Sequence, residues 1–305
     1  MSRVLVTPRS LTSGPVHPEL ERLTAAGHEL VFSAEGRVPS AEELQALIPG
    51  CAAWLAGVEV IDRATMQVAT DLRVIARHGV GLDTVDLDAA RDLGIPVVPS
   101  TGSNAEGVAE LVVLHALTLR RPARGGALID DPAAWKRTRG SELQGRTAAV
   151  IGYGAIGSRA AHLLGAFDMA IRVYDPFAQP SGGHEAAPTV LDAVRGADLV
   201  TLHCPPSERP VIGAAELAAM AGGATLINTA RGSLVDVDAV LAALESGHLG
   251  GYGCDAYVTE PPAAHALWAH PGVFATPHLG GFTAESVQRS VGMAVDVILD
   301  ALVTP

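Results

Sequence analysis

A glycine-rich segment near the middle of the chain has the spacing that binds a dinucleotide. It follows an apolar run at 148–151, precedes a helical pattern that reaches residue 163, and consists of Gly152, Tyr153, Gly154, Ala155, Ile156 and Gly157. The first glycine permits a tight turn, the second lets the backbone approach a pyrophosphate, and the third allows the helix to pack closely on the strand. The pyrophosphate would lie at the positive helix N-terminus. A glycine-rich turn in a ligand-free α/β domain is the alternative.

An acidic residue follows the next strand pattern, at 171–174, and lies 23 positions after Gly152. The carboxylate of Asp175 would accept hydrogen bonds from the ribose hydroxyls and repel the 2′-phosphate of NADP. Neither Tyr174 nor Pro176 supplies a compensating cation. The pattern predicts NAD as the cofactor, and an ordinary surface aspartate is the alternative.

Composition excludes several classes of partner. The 305 residues carry a formal net charge of −12, and a surface of that sign repels nucleic acid and anionic lipid. No stretch approaches the roughly 18 apolar residues of a membrane span. The three cysteines are too few and too scattered for a disulfide framework or a metal site. We expect a cytoplasmic protein with a small anionic substrate and no metal.

Short apolar strand patterns alternate with Ala- and Leu-rich helical patterns, which is typical of βαβ units and parallel sheets. Nearly half of the chain precedes Gly152, so a separate N-terminal α/β domain is expected. The predicted fold is two doubly wound parallel-sheet domains, with a Rossmann-type cofactor domain (100–281) inserted into a flavodoxin-like substrate domain (1–99 and 282–305). Polar Pro/Gly-marked breaks at 120–126 and 130–132 are the nearest thing to a linker. We expect the active site in the cleft between the domains.

Four further segments resemble the D-isomer-specific 2-hydroxyacid dehydrogenase family in order and spacing, from about residue 74 to residue 285. They are a loop at Gly79-Val80-Gly81 with Asp83, an arginine motif at 228–236, a carboxylate motif at 255–261 and a histidine motif at 276–281. Asn104 with Val108-Ala109-Glu110 resembles the entry to that family's cofactor domain.

The resemblance implies a role for each motif. Arg231 would hold the substrate carboxylate and polarise the reacting carbonyl, and His278 would exchange a proton with the substrate oxygen. Glu260 would hydrogen-bond the imidazole and keep it protonated, and the backbone amides of Val80 and Gly81 would grip the carboxylate. Further residues would line the cofactor, with Asp255 on its nicotinamide side: His203, Pro205, Thr229, Ala230, Asp255 and Gly280.

Elementary chemistry favours the same residue types. Reduction of a 2-oxo acid builds negative charge on oxygen, so a cation and a proton donor must lie beside that atom. A guanidinium matches a carboxylate with paired donors, and histidine exchanges protons near neutrality. Taken singly, His278 would more often be a turn residue, and Arg231 and Glu260 would more often be surface groups.

The chain departs from the family where the distal part of the substrate would bind. Phosphoglycerate-specific members carry an Arg-Ser pair after the second strand of the first domain, where this chain has Ala56-Gly57. Arg9 follows the first strand and is the candidate for a second anchor. A solvated Arg9 would leave an enzyme for small monoanions, whereas an Arg9 turned into the cleft would bind a second anion. We favour the second alternative, because ligands collect beyond strand carboxyl ends.

The sequence also predicts an assembly state and leaves two alternative functions open. The resemblance implies a homodimer joined through the cofactor domains, and the helical pattern at 104–119 is apolar on nearly every side, as such an interface requires. A dinucleotide-sensing scaffold of the corepressor type is the alternative from another functional class. Oxidation of phosphite or formate on the same scaffold is the alternative enzyme chemistry.

Overall fold

The computed structural model describes residues 1–121 and 139–303 and divides into two compact units. The first unit contains Met1–Asn104 and Thr283–Pro305, and the second contains Ala105–Phe282. Both boundaries fall slightly later than the sequence-based ones. Residues 100–104 join the first unit because the Ser100 hydroxyl donates to the Arg77 carbonyl at 2.7 Å, and Arg289 Nε donates to the Ser103 carbonyl at 2.8 Å.

The proposed linker at 120–126 and 130–132 lies outside the described residues except at its start. There the expectation is wrong for Arg120, which ends a helix and is 6% exposed. Its guanidinium donates to the Asp198 carbonyl and to the Ser141 hydroxyl. Within the described part of the chain, no helix is both long and apolar enough to cross a membrane.

The first unit contains one sheet of five parallel strands in the order β2-β1-β3-β4-β5, numbered along the chain. The strands are β1 (Arg3–Val6), β2 (Glu29–Phe32), β3 (Cys51–Ala56), β4 (Val74–Arg77) and β5 (Val97–Pro99). The helices are α1 (Pro18–Ala25), α2 (Ala41–Leu47), α3 (Arg63–Gln67), α4 (Leu87–Asp92) and the C-terminal α10 (Ala284–Val303). Strand β2 escaped the sequence analysis because it lies at the sheet edge, where two of its four residues are exposed and two are only partly buried.

The C-terminal helix returns to the sheet of the first unit. Its buried face, formed by Val291, Ala294, Val295 and Ile298, shares one apolar cluster with Val4, Val6, Ala53 and Leu55 of the central strands. Burial of apolar surface stabilises a fold by roughly 25 cal/mol per Å². This face therefore ties the two ends of the chain into one core.

The second unit contains seven parallel strands in the order β12-β11-β10-β9-β6-β7-β8. The strands are β6 (Thr147–Ile151), β7 (Ala170–Tyr174), β8 (Glu185–Ala186), β9 (Leu199–Leu202), β10 (Ala224–Asn228), β11 (Leu249–Cys254) and β12 (Val273–Ala275). The helices are α5 (Ala105–Arg120), α6 (Ala155–Gly165), α7 (Val190–Val194), α8 (Ala214–Ala219) and α9 (Val237–Glu245). The predicted fold class, two parallel-sheet α/β domains, is confirmed.

Strand register brings the three motifs with chemical groups to one edge of the second sheet. Asn228 of β10 pairs with Cys254 of β11, and Cys254 pairs with Ala275 of β12. The segments at 229–231, 255–260 and 276–280 therefore leave neighbouring strands at the same level. In an open α/β sheet this carboxyl edge is where ligands bind.

Gly232 lets two of these segments touch. A Cβ built at this position would lie 2.3 Å from the backbone carbonyl carbon of Tyr257 and 2.3 Å from the backbone nitrogen of Val258. Real Cβ atoms do not approach backbone so closely, so only glycine allows the arginine segment to pack on the carboxylate segment.

We predict that Gly232→Ala forces these two segments apart. Overpacking of this kind costs about 1–3 kcal/mol, so the free energy of unfolding in a urea titration should fall by that order. Gly222→Ala is the matched control, because a Cβ there meets nothing within 4 Å. Equal stability of the two variants would contradict the packing argument.

Candidate active site

His278 and Glu260 form a hydrogen-bonded pair at the carboxyl edge of the second unit. Nδ1 of His278 lies 2.7 Å from Oε1 of Glu260, and the two side chains are 50% and 43% exposed. An ionised carboxylate only accepts hydrogen bonds, so Nδ1 carries the hydrogen. The arrangement therefore leaves Nε2 of His278 to exchange a proton with a ligand.

The loop that carries His278 is held by a buried carboxylate. Asp255 is 1% exposed, and its Oδ1 accepts the Thr276 hydroxyl at 2.6 Å and the Leu279 amide at 2.7 Å. Its Oδ2 accepts the Gly280 amide at 2.8 Å. His278, between these anchors, has φ of +54°, a left-handed conformation that a non-glycine residue adopts only when its surroundings enforce it.

Arg231 lies just after β10 in a turn fixed by Asn228, a member of the arginine motif to which the sequence analysis assigned no role. The side-chain amide of Asn228, which is fully buried, donates to the Arg231 carbonyl at 2.8 Å and accepts from the Ala230 amide at 3.1 Å. Nη1 of Arg231 donates to the Ala230 carbonyl at 2.7 Å. A polar residue at the end of the buried run 224–227 was the available signal.

A second missed residue supports the histidine loop from helix α5. His115 is fully buried, and its Nε2 lies 3.2 Å from the Thr276 hydroxyl. Because that hydroxyl donates to Asp255, His115 must be the donor in this contact. Burial lowers the pKa of His115 to about 4, so the ring is neutral near pH 7. Its position among the apolar residues of the helix was the available signal.

The glycine-rich loop has the shape that its sequence predicts. Gly152 has φ of +94°, and a Cβ there would lie 2.6 Å from the Cys204 backbone nitrogen. A Cβ at Gly157 would lie 1.9 Å from the Gly152 carbonyl oxygen, so helix and strand touch only because both residues are glycine.

The N-terminus of α6 is open to an anion. Gly154 is its N-cap and supplies no side-chain hydrogen bond, and a Cβ on Gly154 would meet nothing within 4 Å. The amides of the first turn, at Ala155 and Ile156, therefore face no capping side chain. These features fit the pyrophosphate of a dinucleotide.

Asp175 follows β7 and already contacts the glycine-rich loop. Its Oδ2 accepts the Tyr153 amide at 2.7 Å, and its Oδ1 accepts the amides of Phe177 and Ala178 at 2.8 and 2.9 Å. Burial acts to raise the pKa of Asp175, but the three amide hydrogen bonds outweigh burial and the net pKa is lowered. Asp175 is thus a carboxylate anion beside the glycine-rich loop. A residue that binds the ribose and repels a 2′-phosphate must carry such a charge.

The remaining residues assigned to the cofactor lie at neighbouring strand ends. His203 follows β9, and burial lowers its pKa to about 3, so its ring is neutral, while Pro205 is exposed. The Thr229 hydroxyl, beside Ala230, is buried and has no hydrogen-bond partner among the described residues. An orphaned hydroxyl at this edge fits a bound polar ligand. Within the part of the chain that the structure describes, no cluster of His, Cys, Asp and Glu could hold a metal ion.

The candidate substrate residues of the first unit follow β1 and β4. Within residues 1–121 and 139–303, the amides of Val80 and Gly81 donate to no protein acceptor, so both remain available for a carboxylate. Arg9 lies exposed in the turn after β1. Glu59, which follows β3, is 1% exposed and was missed because its exposed neighbours Val58 and Val60 give the segment an ordinary alternating pattern.

Comparison with known proteins identifies the family to which the chain is similar. Residues 115–280 match the family model of the D-isomer specific 2-hydroxyacid dehydrogenase NAD-binding domain. The chain is 38% identical to the (S)-sulfolactate dehydrogenase of Chromohalobacter salexigens over 255 residues, 79% of this chain and 81% of the relative. It is 33% identical to the hydroxypyruvate reductase of Thermotoga maritima over 293 residues, 92% and 93% of the two chains. The chain spans about half the length (49%) of the Mycobacterium tuberculosis D-3-phosphoglycerate dehydrogenase that it matches.

The fold agrees with that relationship. A crystal structure of a Thermus thermophilus protein superposes with a TM-score of 0.88 at 34% identity, covering 98% of this chain and 96% of that one. The predicted use of NAD is confirmed by the match to the NAD-binding domain. The fold, the arrangement of the strand-end motifs and the sequence matches lead to one conclusion: the chain belongs to the D-isomer specific 2-hydroxyacid dehydrogenases, a family of NAD-dependent oxidoreductases.

Proposed function

We propose that this enzyme interconverts a small D-2-hydroxy acid and its 2-oxo acid, with His278, Glu260 and Arg231 as its catalytic residues. The observation that carries the proposal is the His278–Glu260 hydrogen bond at 2.7 Å, at the same sheet edge as the turn that carries Arg231. Bound nicotinamide supplies the hydride for reduction and accepts it in oxidation.

Each residue has a defined task in this proposal. His278 gives its Nε2 proton to the substrate oxygen during reduction and takes it back during oxidation. Glu260 orients the ring and stabilises its protonated form. Arg231 binds the substrate carboxylate and stabilises the charge that develops on the oxygen, and the amides of Val80 and Gly81 hold the same carboxylate.

The cofactor residues follow from the geometry of the second unit. The open N-terminus of α6 would hold the pyrophosphate, and Asp175 would hold the adenosine ribose. Thr229, Ala230, His203 and Pro205 would line the remainder. Asp255 and Gly280 would lie on the nicotinamide side of the cofactor. The hydrogen bond between them holds the loop that carries His278.

Arg9 is the proposed second anchor and would bind the distal part of the substrate. It is exposed beyond β1 and forms no ion pair among the described residues. Sulfolactate, named for one relative, carries a second anion, which supports this alternative. Hydroxypyruvate, named for another, does not, and supports a small monoanion instead.

Assembly and compartment are further parts of the proposal. A homodimer through α5 is supported by Leu114, which is 50% exposed on that apolar helix, and requires a mass of two chains in light scattering. A cytoplasmic location is supported by three free cysteines, Cys51, Cys204 and Cys254.

The first prediction tests acid–base catalysis. His278→Ala should lower kcat for reduction by roughly 10²–10⁴ while NADH still binds, because the proton donor is lost. Glu260→Gln should retain appreciable activity, but its reduction rate should decline at lower pH than in wild type, since an amide stabilises the imidazolium less than a carboxylate does. Stopped-flow rates across pH measure both effects. An unchanged pH profile in the glutamine variant would refute the pairing, and absence of turnover with every 2-oxo acid would favour a dinucleotide-sensing scaffold.

The second prediction concerns the choice of cofactor. Wild type should prefer NADH over NADPH by at least about tenfold in kcat/KM, or about 1.4 kcal/mol, because Asp175 repels the 2′-phosphate. Asp175→Asn should reduce that preference by improving the use of NADPH. His162 is exposed on α6 and lies outside the glycine-rich loop, so His162→Ala is a control for general damage. Equal use of both cofactors by wild type would remove Asp175 from its assigned role.

The third prediction tests the second anchor. If Arg9 binds a distal anion, dianionic 2-oxo acids should have higher kcat/KM than monoanionic ones, and Arg9→Ala should abolish the advantage. A charged hydrogen bond of this kind contributes roughly 1.5–3 kcal/mol. Arg37→Ala removes an exposed arginine elsewhere in the first unit and controls for net charge. A dianion advantage that survives the loss of Arg9 would exclude it as the anchor.

A further inference from the structure

Tyr257 is the residue at which the three segments of the candidate active site meet. Its backbone lies against Gly232, the neighbour of Arg231, where a Cβ would come within 2.8 Å of Tyr257 Cα. Its amide lies 3.4 Å from Oε1 of Glu260, and its hydroxyl donates to the Thr276 carbonyl at 2.8 Å. The proposed mechanism gives this residue no task.

The Thr276 carbonyl also holds the backbone of His278. The His278 amide donates to that carbonyl at 3.0 Å, which closes a tight turn around Pro277. Because His278 has φ of +54°, its conformation persists only while its surroundings hold the turn. The Tyr257 hydroxyl and the His278 amide therefore share one acceptor, and through it the hydroxyl acts on the position of His278.

The Tyr257 side chain is held in place and remains a hydrogen-bond donor. Its ring packs edge-on against Trp268 with the ring centroids 5.4 Å apart, and Trp268 Nε1 donates to the Ala263 carbonyl at 3.0 Å. Burial raises the pKa of Tyr257, so its hydroxyl keeps its hydrogen across the pH range in which histidine titrates. The Cys254 carbonyl lies farther from the hydroxyl, at 3.4 Å, so Thr276 is its main acceptor.

We propose that Tyr257 is a positioning residue, whose hydroxyl holds His278 against Glu260 through the Thr276 carbonyl. The inference rests on the proposed function for the reaction. The Tyr257 amide lies beside the same Glu260 oxygen that accepts Nδ1 of His278, so both members of the pair are placed against one residue. Tyr257 acts through the loop and exchanges no proton with the substrate.

A pure packing role is the competing explanation, in which only the ring of Tyr257 matters. Tyr257→Phe keeps the ring against Trp268 and removes the hydroxyl. The Thr276 carbonyl retains the His278 amide as a donor, so it does not lose its last partner and the variant should fold. Trp268→Phe is the matched control, because it changes the packing and removes the indole N–H but keeps the hydroxyl.

The decisive measurement is a nuclear magnetic resonance titration of the histidine-labelled enzyme with bound NADH. The ring signals of His278, assigned by their loss in His278→Ala, report the pH at which this ring loses its proton. In Tyr257→Phe that midpoint should fall by roughly 0.2–0.5 of a pH unit, because a pair that separates part of the time stabilises the imidazolium less. Trp268→Phe should leave the midpoint within about 0.1 of a pH unit of wild type.

The same substitution in a second background shows whether the hydroxyl acts through the pair. Adding Tyr257→Phe to Glu260→Gln should cause no further fall in the midpoint, because no carboxylate is left for His278 to be held against. An unchanged midpoint in Tyr257→Phe, an equal fall in Trp268→Phe, or a full further fall in the Glu260→Gln background would overturn the proposal.

Steady-state kinetics adds a readout of the chemical step. With NADH and either hydroxypyruvate or sulfopyruvate, whichever wild type reduces faster, Tyr257→Phe should lower kcat by about tenfold, because the proton donor is misplaced. The KM of the acid should stay within about twofold, since the hydroxyl does not hold the substrate carboxylate. Failure of the proposed function would appear separately, as absence of 2-oxo acid reduction by wild type, and the titration would still test the positioning role.

Discussion

The candidate active site depends on the buried carboxylate of Asp255. Three donors from the segment 276–280 converge on its two oxygens, and they fix a loop whose central residue, His278, has a left-handed backbone. Without those hydrogen bonds, the loop would relax toward an ordinary conformation and His278 would leave Glu260. A charge buried at 1% exposure is costly, and the cost is offset only because every donor is in place. The hydrogen bonds that shape the loop are therefore the same ones that allow Asp255 to be buried.

Close backbone packing is the complementary constraint. Gly232 brings the arginine segment against the carboxylate segment, and Gly157 brings α6 against the turn at Gly152. In both places a single methyl group would separate elements that must touch. The glycines thus position Arg231 and the cofactor loop by having no side chain, whereas Asp255 and Asn228 position their neighbours by hydrogen bonds.

The sheet edge of the first unit faces an electrostatic constraint, because an acid is an anion and the protein has a negative net charge. The amides of Val80 and Gly81, which donate to no protein acceptor within residues 1–121 and 139–303, would add hydrogen-bond donors without adding charge to a protein whose net charge is −12. Arg9 is exposed after β1, and Glu59 is buried after the neighbouring strand β3.

The sequence by itself determined the elements and the residue types of the site. Runs of β-branched and apolar residues predicted the alternation of strands and helices, and the glycine spacing located the cofactor loop, because both signals are local in the chain. It missed β2 and β8, which are edge strands with little burial, and it assigned the buried Arg120 to a linker. Tertiary structure alone decided which groups meet. Eighteen residues separate Glu260 from His278, and 161 separate His115 from Thr276, so their hydrogen bonds exist only after the parallel strands are in register. The same holds for Glu59, which lies between two exposed valines in the chain and is buried only because the ends of β1 and β3 come together around its carboxyl group.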